Sequence, residues 1–406
     1  MIAGWGPDDR SGLTPIDGGV TAPAGFTASG VVSGVKPSGK PDLAAVVADE
    51  PASVAVVTTT NLVKAPSCTL TERHAAGGTA RAVLINSGNA NVCTPHGEEH
   101  TLAMAAGAAE QLGADASDIL VMSTGVIGVP LPLDRITTAL PALFEHLSPD
   151  GGAKAAEAML TTDTHAKQVA FEVVDEAGGR CVVAGMAKGV GMIEPNMATL
   201  LVVLTTDAPL QAPLQRRMLT GAVRQTFNRI SIDGDGSTSD TVALLASGQA
   251  TTPPSLEVVG RALHAVCADL AEQVVADGEG ASRVAAVTVT GAATEAEAEA
   301  LARAIATSLL VRAAIHGADP NWGRILMAMG TAGVEFDPRR VSVTCAGVTV
   351  CRFGVATSFD RGQAAAAMDH PVVEIVANVA SGDAHATMLT CDLTPEYVRF
   401  NAEYTT

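Results

Sequence analysis

Short continuous apolar runs punctuate the chain. Residues 82–86 (AVLIN), 119–122 (ILVM) and 200–204 (LLVVL) are too short for an ordinary helix and read as buried strands, although a buried helical turn shows the same pattern. The first two end in turn signals, Ser87-Gly88-Asn89 and Ser123-Thr124-Gly125. Strand patterns also mark 168–174, 181–186, 283–291, 371–380 and 382–390, and β-rich stretches alternate with turns such as Pro37-Ser38-Gly39 over 20–57. Helical patterns cover 101–112 (stopped by Gly113), 133–147, 152–160, 213–227 with Arg216, Arg217 and Arg224 on the wet side, and 255–276. Thr294 and Glu297 form a capping box for a further helix. Residues 1–19 read as irregular. Residues 228–240 (NRISIDGDGSTSD) read as a polar turn capping a helix that starts near Thr238. The mixture predicts an α/β protein.

Composition sharpens this picture. Hydrophobic residues make up 47% but aromatics only 3%, which suits layers packed with small side chains. With 406 residues the chain can form one large or two to three ordinary domains, and neither a tandem repeat nor a low-complexity linker divides it. No apolar run approaches the roughly 18 residues of a membrane span, and the N-terminal MIAGWGPDDR lacks a secretory apolar core; the expected address is the cytoplasm. A net charge of −18 argues against nucleic acid. Seven dispersed cysteines, the closest pair being Cys345 and Cys351, read as reduced core thiols. No metal motif is present: His96 and His100 with Glu98 and Glu99 read as a solvated helix start, and Asp233 and Asp235 resemble a calcium loop without its bidentate Glu.

The chemistry concentrates at 188–204 (KGVGMIEPNMATLLVVL). A glycine-rich loop leads to Ala198 and Thr199, then to the apolar run. A hydroxyl on the first residue of a rigid strand is well held, but it needs a base. If the Ala198–Thr199 bond breaks, Thr199 acquires an α-amine that can serve as that base. Acyl chemistry also needs an oxyanion site, usually backbone N–H groups in a tight turn, and Thr124-Gly125 offers one. Taken alone, an Ala-Thr pair before a strand and a Thr-Gly turn after one are both ordinary. Lys188 can bind a carboxylate or shift nearby pKa values. Thr161-Thr162-Asp163-Thr164 reads as a self-bonded turn.

These stretches closely resemble the glutamate N-acetyltransferase / ornithine acetyltransferase family of arginine biosynthesis. The resemblance is carried by KGVGMIEPNMATLL, VTAPAGFTASGVVSGVK (20–36), NSGNAN (86–91), STGVIG (123–128), TTDT (161–164), DGEGA (277–281), GADPNWGR (317–324) and CDLTPEYVRFNAEYTT (391–406), in family order over nearly the whole chain. It implies a layered α/β/β/α sandwich built from two intertwined halves made by self-cleavage. Residues 1–198 would be an α chain with the oxyanion hole, and 199–406 a β chain starting with the nucleophile; neither is an independent domain. Thr199 is then the nucleophile, Thr124 and Gly125 the oxyanion hole, and Thr161, Lys188, Thr199, Glu279, Asn401 and Thr406 the substrate contacts. GADPNWGR reads as scaffold, with Trp322 packed and Arg324 a further candidate. Three positions depart from the family pattern: Thr58, where an aromatic residue is common, Gly236 and Ser239.

The implied reaction moves an acetyl group from N2-acetyl-L-ornithine to L-glutamate through acetyl-Thr199. No cofactor is implied, although acetyl-CoA is a donor for some members of the family. Self-assembly as (αβ)2 is expected. Water as acceptor would make the same apparatus an aminopeptidase or amidase. A specialised-metabolism paralogue with another acceptor and an inactive binding protein are the remaining alternatives.

Overall fold

The computed structural model describes residues 2, 4–194 and 200–403; Ala198, Thr199, Tyr404 and Thr406 lie outside them. In chain order the first half contains β1 (Leu13–Pro15), β2 (Phe26–Val31), β3 (Leu43–Thr58), α1 (Pro66–Ala75), β4 (Thr79–Asn86) and α2 (Gly97–Leu112). It continues with β5 (Ile119–Ser123), α3 (Leu133–Glu145), α4 (Gly152–Ala158), β6 (Lys167–Val174) and β7 (Arg180–Lys188). Then come β8 (Leu201–Thr206), α5 (Ala212–Gln225), β9 (Ile230–Ser231), β10 (Thr241–Ala246), α6 (Leu256–Ala276) and β11 (Val284–Ala292). The last third holds α7 (Glu295–Ala306), α8 (Leu309–His316), α9 (Trp322–Met329), β12 (Ser342–Cys345), β13 (Val348–Arg352) and β14 (Val355–Ala356). It ends with α10 (Arg361–Met368), β15 (Val372–Asn378), β16 (Ala384–Cys391) and α11 (Pro395–Glu403).

The chain divides into two compact units. The larger comprises the described residues of Gly6–Asn228 and Asp235–Val274. Its sheet runs β1-β6-β7-β8-β10-β3-β4-β5, with β2 also on β3. β8 pairs antiparallel with β7 and parallel with β10. A strand in that position is covered on both faces, which explains why 200–204 is apolar without alternation. One face of the sheet packs Leu201, Val203 and Met186 with the alanines of α4. Another part, from β3, β4 and β5, packs its opposite face on α2 and α3. Small residues permit close approach: a Cβ on Gly185 would lie 2.6 Å from Leu204 and 2.9 Å from Leu270 of α6. The long β3 shifts register between Val47 and Ala52, where Pro51 cannot donate to a ladder and Arg81 Nε bonds the Ala48 carbonyl at 2.7 Å.

The other unit holds Arg229–Gly234 and the described residues from Val275 onward, together with the described residues among the first five. Its sheet, β14-β13-β12-β15-β11-β16-β9, packs against α7, α8 and α9 and Met368 of α10 through one aliphatic core. Thr294 caps α7 by accepting the Glu297 N–H at 3.2 Å. Asn321 caps α9 in the same way, accepting the Arg324 N–H at 3.2 Å, and Trp322 packs against the core, so GADPNWGR is a helix start. Arg324 Nη1 donates to the Leu310 carbonyl at 2.8 Å.

The mixed α/β class and most of the predicted elements are present. The helix expected from near Thr238 is not: β10 stands there, paired to both β8 and β3. Its apolar TVALLA suits either state locally, and two strand edges waiting for partners decide for a strand. Within 1–19, β1 pairs with β6. Arg216, Arg217 and Arg224 are exposed on α5 as predicted. All seven cysteines are thiols, and six are buried; Cys93 is exposed. His96 precedes α2, exposed, with Nδ1 3.2 Å from Glu99 Oε2. Among the described residues no helix is long and apolar enough to cross a membrane, and no acidic, His or Cys group could hold a metal ion.

Candidate active site

Lys188 ends β7, in register with Leu201, two residues beyond position 199. It is buried, and its Nζ lies 3.5 Å from Thr124 Oγ1, the outer limit of a hydrogen bond. Thr124 follows β5 directly. Its backbone N–H is committed to the Asn86 carbonyl at 2.9 Å, so what it can offer a ligand is its hydroxyl. Gly125 has φ 128, and a Cβ there would lie 2.7 Å from both Asn89 N and Gly88 C. Only glycine fits that left-handed turn against the 86–91 loop. The loop is self-bonded: Asn86 Nδ2 donates to the Asn89 carbonyl at 2.6 Å, and Asn89 Oδ1 accepts the Asn91 N–H at 2.7 Å.

Asp163 organises the lysines. Its carboxylate is fully buried; Oδ1 accepts from Lys167 Nζ and from the Gly189 N–H, each at 2.8 Å. Oδ2 accepts the Thr161 N–H at 3.0 Å. Burial pushes its pKa up, but Lys188, Lys167 and these hydrogen bonds outweigh burial and hold it well below the usual carboxylate range. Lys36 joins the cluster, donating to the Pro41 and Leu160 carbonyls at 2.8 and 2.6 Å. Burial brings its ammonium down to about 8, with Asp42 opposing and Lys188 assisting. Asp163, Lys167 and Lys36 were not singled out from the sequence. The available signals were the aspartate inside TTDT and the Lys closing VTAPAGFTASGVVSGVK.

Ahead of β10, the buried Asp240 carboxyl accepts the Leu200 N–H at 2.8 Å. Burial raises its pKa well above the usual range, against the lowering effects of that N–H and of Lys188.

In the other unit, Asn401 Nδ2 donates to Glu279 Oε2 at 3.1 Å and to the Tyr397 carbonyl at 3.1 Å. Thr394 Oγ1 donates to the Gly280 carbonyl at 2.7 Å. A Cβ on Gly280, at φ 68, would lie 2.5 Å from Tyr397 N. The DGEGA turn and α11 are therefore joined, by polar ties: none of α11 is buried. Of the expected site residues, the structure brings together Thr124, Gly125, Thr161 and Lys188 in the larger unit, and Glu279 and Asn401 in the smaller. Ala198, Thr199 and Thr406 lie outside the described residues. At the departures, Thr58 bonds Glu72, Ser239 N–H donates to Ser237 Oγ at 3.1 Å, and a Cβ on Gly236 would meet open space.

A buried lysine beside a hydroxyl and a glycine-only turn, at the ends of strands in an α/β sheet, are compatible with acyl transfer, among other chemistries. Comparison with known proteins specifies which. The family model described as "ArgJ family" matches residues 27–406. "Arginine biosynthesis bifunctional protein ArgJ" of Gloeobacter violaceus is 44% identical over 405 residues, covering 96% of this chain and 98% of that protein. Its namesake from Streptomyces coelicolor is 46% identical over 387 residues, covering 95% and 99%. Among solved structures, ornithine acetyltransferase complexed with ornithine from Mycobacterium tuberculosis is 39% identical, covers 45% of this chain and 98% of that one, and has a TM-score of 0.42. The chain belongs to the ArgJ family and is an acyltransferase of arginine biosynthesis.

Proposed function

We propose that this chain cuts itself between Ala198 and Thr199 and then carries acetyl groups on the Thr199 hydroxyl, from N2-acetyl-L-ornithine to L-glutamate. The observation that carries the reading is the placement of Lys188 Nζ at Thr124 Oγ1, on the strand paired with β8. In maturation the Thr199 hydroxyl attacks the Ala198 carbonyl, the acyl group passes from nitrogen to oxygen, and water hydrolyses the ester. The products are 1–198 with a new carboxylate and 199–406 with a new amine. They stay interlocked, because β8 and β10 follow the cut yet sit in one sheet with β7 and β3.

In turnover the new amine takes the hydroxyl proton as oxygen attacks the acetyl carbonyl. The Gly125 N–H and the Thr124 hydroxyl face the developing oxyanion, with Lys188 polarising that hydroxyl. Ornithine leaves with the proton. Glutamate's amine then attacks acetyl-Thr199, and the reverse proton path restores the enzyme. Thr161, Lys188, Glu279, Asn401 and Thr406 are the further residues that the family resemblance assigns to substrate contact, with Lys188 suited to a carboxylate and Glu279 to an amine. Acetyl-CoA as an alternative donor, an (αβ)2 assembly and a cytoplasmic location complete the reading. Thr199→Ala is expected to give one uncut chain without transferase activity; normal processing of that variant would refute the assignment. Release of free acetate with no dependence on glutamate would identify a hydrolase instead.

A further inference from the structure

Once position 199 begins a chain, its only covalent tether is the peptide bond to Leu200. The structure holds the N–H of that peptide and the carbonyl of the next one, on either side of the Leu200 Cα. The Leu200 N–H is held by Asp240 Oδ1 at 2.8 Å, and the Leu200 carbonyl accepts the Thr241 N–H at 3.0 Å. Asp240 is itself fixed: its carbonyl accepts the Thr59 N–H at 3.0 Å, and Ala65 N–H donates to the Thr238 carbonyl at 2.8 Å. Thr59 Oγ1 donates to the Ser237 carbonyl at 2.7 Å, so that hydroxyl proton is committed. Asp240 Oδ2 is buried and makes no hydrogen bond among the described residues.

A backbone carbonyl is the ordinary partner for an N–H at the start of a strand. Burying a carboxyl for that purpose is costly unless its hydrogen bonds are well made. The cost falls at the one peptide whose position decides where a residue at 199 points.

We propose that Asp240 is a positioning residue for Thr199: by holding the Leu200 amide it fixes the tether of the nucleophile, which matters most after the cut has removed the other tether. The proposal rests on the Thr199 reading above. It predicts an effect on turnover rather than on substrate affinity, because Asp240 acts through Leu200 and not on the substrate.

The test compares Asp240→Asn, Asp240→Ala and Asp240→Leu in the full chain. Processing is followed by intact mass, and turnover is measured with N2-acetyl-ornithine and glutamate. Asp240→Ala and the near-isosteric Asp240→Leu should still be cut, more slowly, with kcat at least about tenfold lower and KM within about threefold. Asp240→Asn keeps an acceptor at Oδ1 and should stay within about threefold of the parent kcat. Parent-like kcat in Asp240→Leu overturns the proposal, as does a loss in Asp240→Asn equal to that in Asp240→Leu. If Asp240→Ala and Asp240→Leu do not fold, Asp240→Asn decides: folded and within about threefold upholds the acceptor role, folded and more than about threefold slower overturns it. A parent protein with no chain starting at Thr199 would sink the Thr199 reading first, whatever the variants do.

Discussion

The two groups of candidate site residues are held by opposite means. Around Asp163 the larger unit keeps Lys167 and Lys188 buried, with Lys167 Nζ and the Gly189 N–H on Oδ1 at 2.8 Å and the Thr161 N–H on Oδ2 at 3.0 Å. Around Glu279 the smaller unit uses an exposed Asn401 on an exposed helix. A buried charge cluster is rigid because breaking it leaves a charge stranded in a dry place. An exposed hydrogen bond competes with water at every moment and is worth about 1 kcal/mol or less. Under the proposed function, the first group suits the aligning of reacting atoms and the second a loosely held substrate contact.

The sharpest way to break this comparison is Asp163→Asn. The amide keeps the shape but leaves Lys167 buried without its counter-charge, a loss of about 3–5 kcal/mol. The thermal midpoint of the uncut Thr199→Ala chain should fall by several degrees when this change is added. The acid side gives a second readout. The carboxyl's pKa is lower folded than unfolded, so the unfolded chain binds more protons between the two values and stability rises with pH there. The stabilisation is complete above the usual carboxylate range and disappears as pH falls below it. Asp163→Asn should therefore lose less stability than its parent between about pH 4 and pH 2. Identical acid slopes would show that the buried pair is not what holds this region.

Next in size is Gly125→Ala. The added methyl would meet Asn89 N and Gly88 C at 2.7 Å, both backbone, in a conformation at φ 128. Neither atom can swing aside, so the turn must move, and with it the N–H proposed to face the oxyanion. A single oxyanion donor is worth about 10²–10³ in kcat. The expected outcome is a kcat loss of at least about a hundredfold with a smaller change in KM; a kcat within tenfold of the parent would remove Gly125 from the oxyanion site.

The sequence showed the elements whose local signals agree with their surroundings. The 200–204 run became β8, and 101–112 became the body of α2, closed by Gly113 in the left-handed conformation. β10 was lost because TVALLA carries no periodicity to separate helix from strand, and only the edges of β8 and β3 choose. α1 escaped because PSCTLTERHA is mostly polar with a weak apolar stripe. In the candidate site, family motifs point to Thr124, Gly125 and Lys188, which the structure brings together. Asp163 looked like a turn residue, and it is one: it binds the Thr161 N–H. That it also neutralises Lys167 and holds Gly189 depends on β6 and β7 returning beside it, which no local pattern encodes. Asp240 was hidden in the same way, inside a polar segment whose neighbours in space are Leu200 and Thr59.

The smallest effect is expected at Asn401→Ala, and it tests the other half of the comparison. Its side chain bridges Glu279 and the Tyr397 carbonyl at 3.1 Å each, both replaceable by water. Thr394 and Gly280 continue to tie α11 to the DGEGA turn, so the helix has no reason to detach. The thermal midpoint should stay within about 1–2 °C of the parent, in line with an exposed substitution of about 0.5 kcal/mol. KM for the amino-acid substrates should rise a few-fold, more than kcat falls, because a loosely held contact contributes binding shared by ground and transition states. A large drop in midpoint would mean that the exposed pair is structural after all. A loss confined to kcat would place Asn401 with the aligning group and erase the distinction between the two regions.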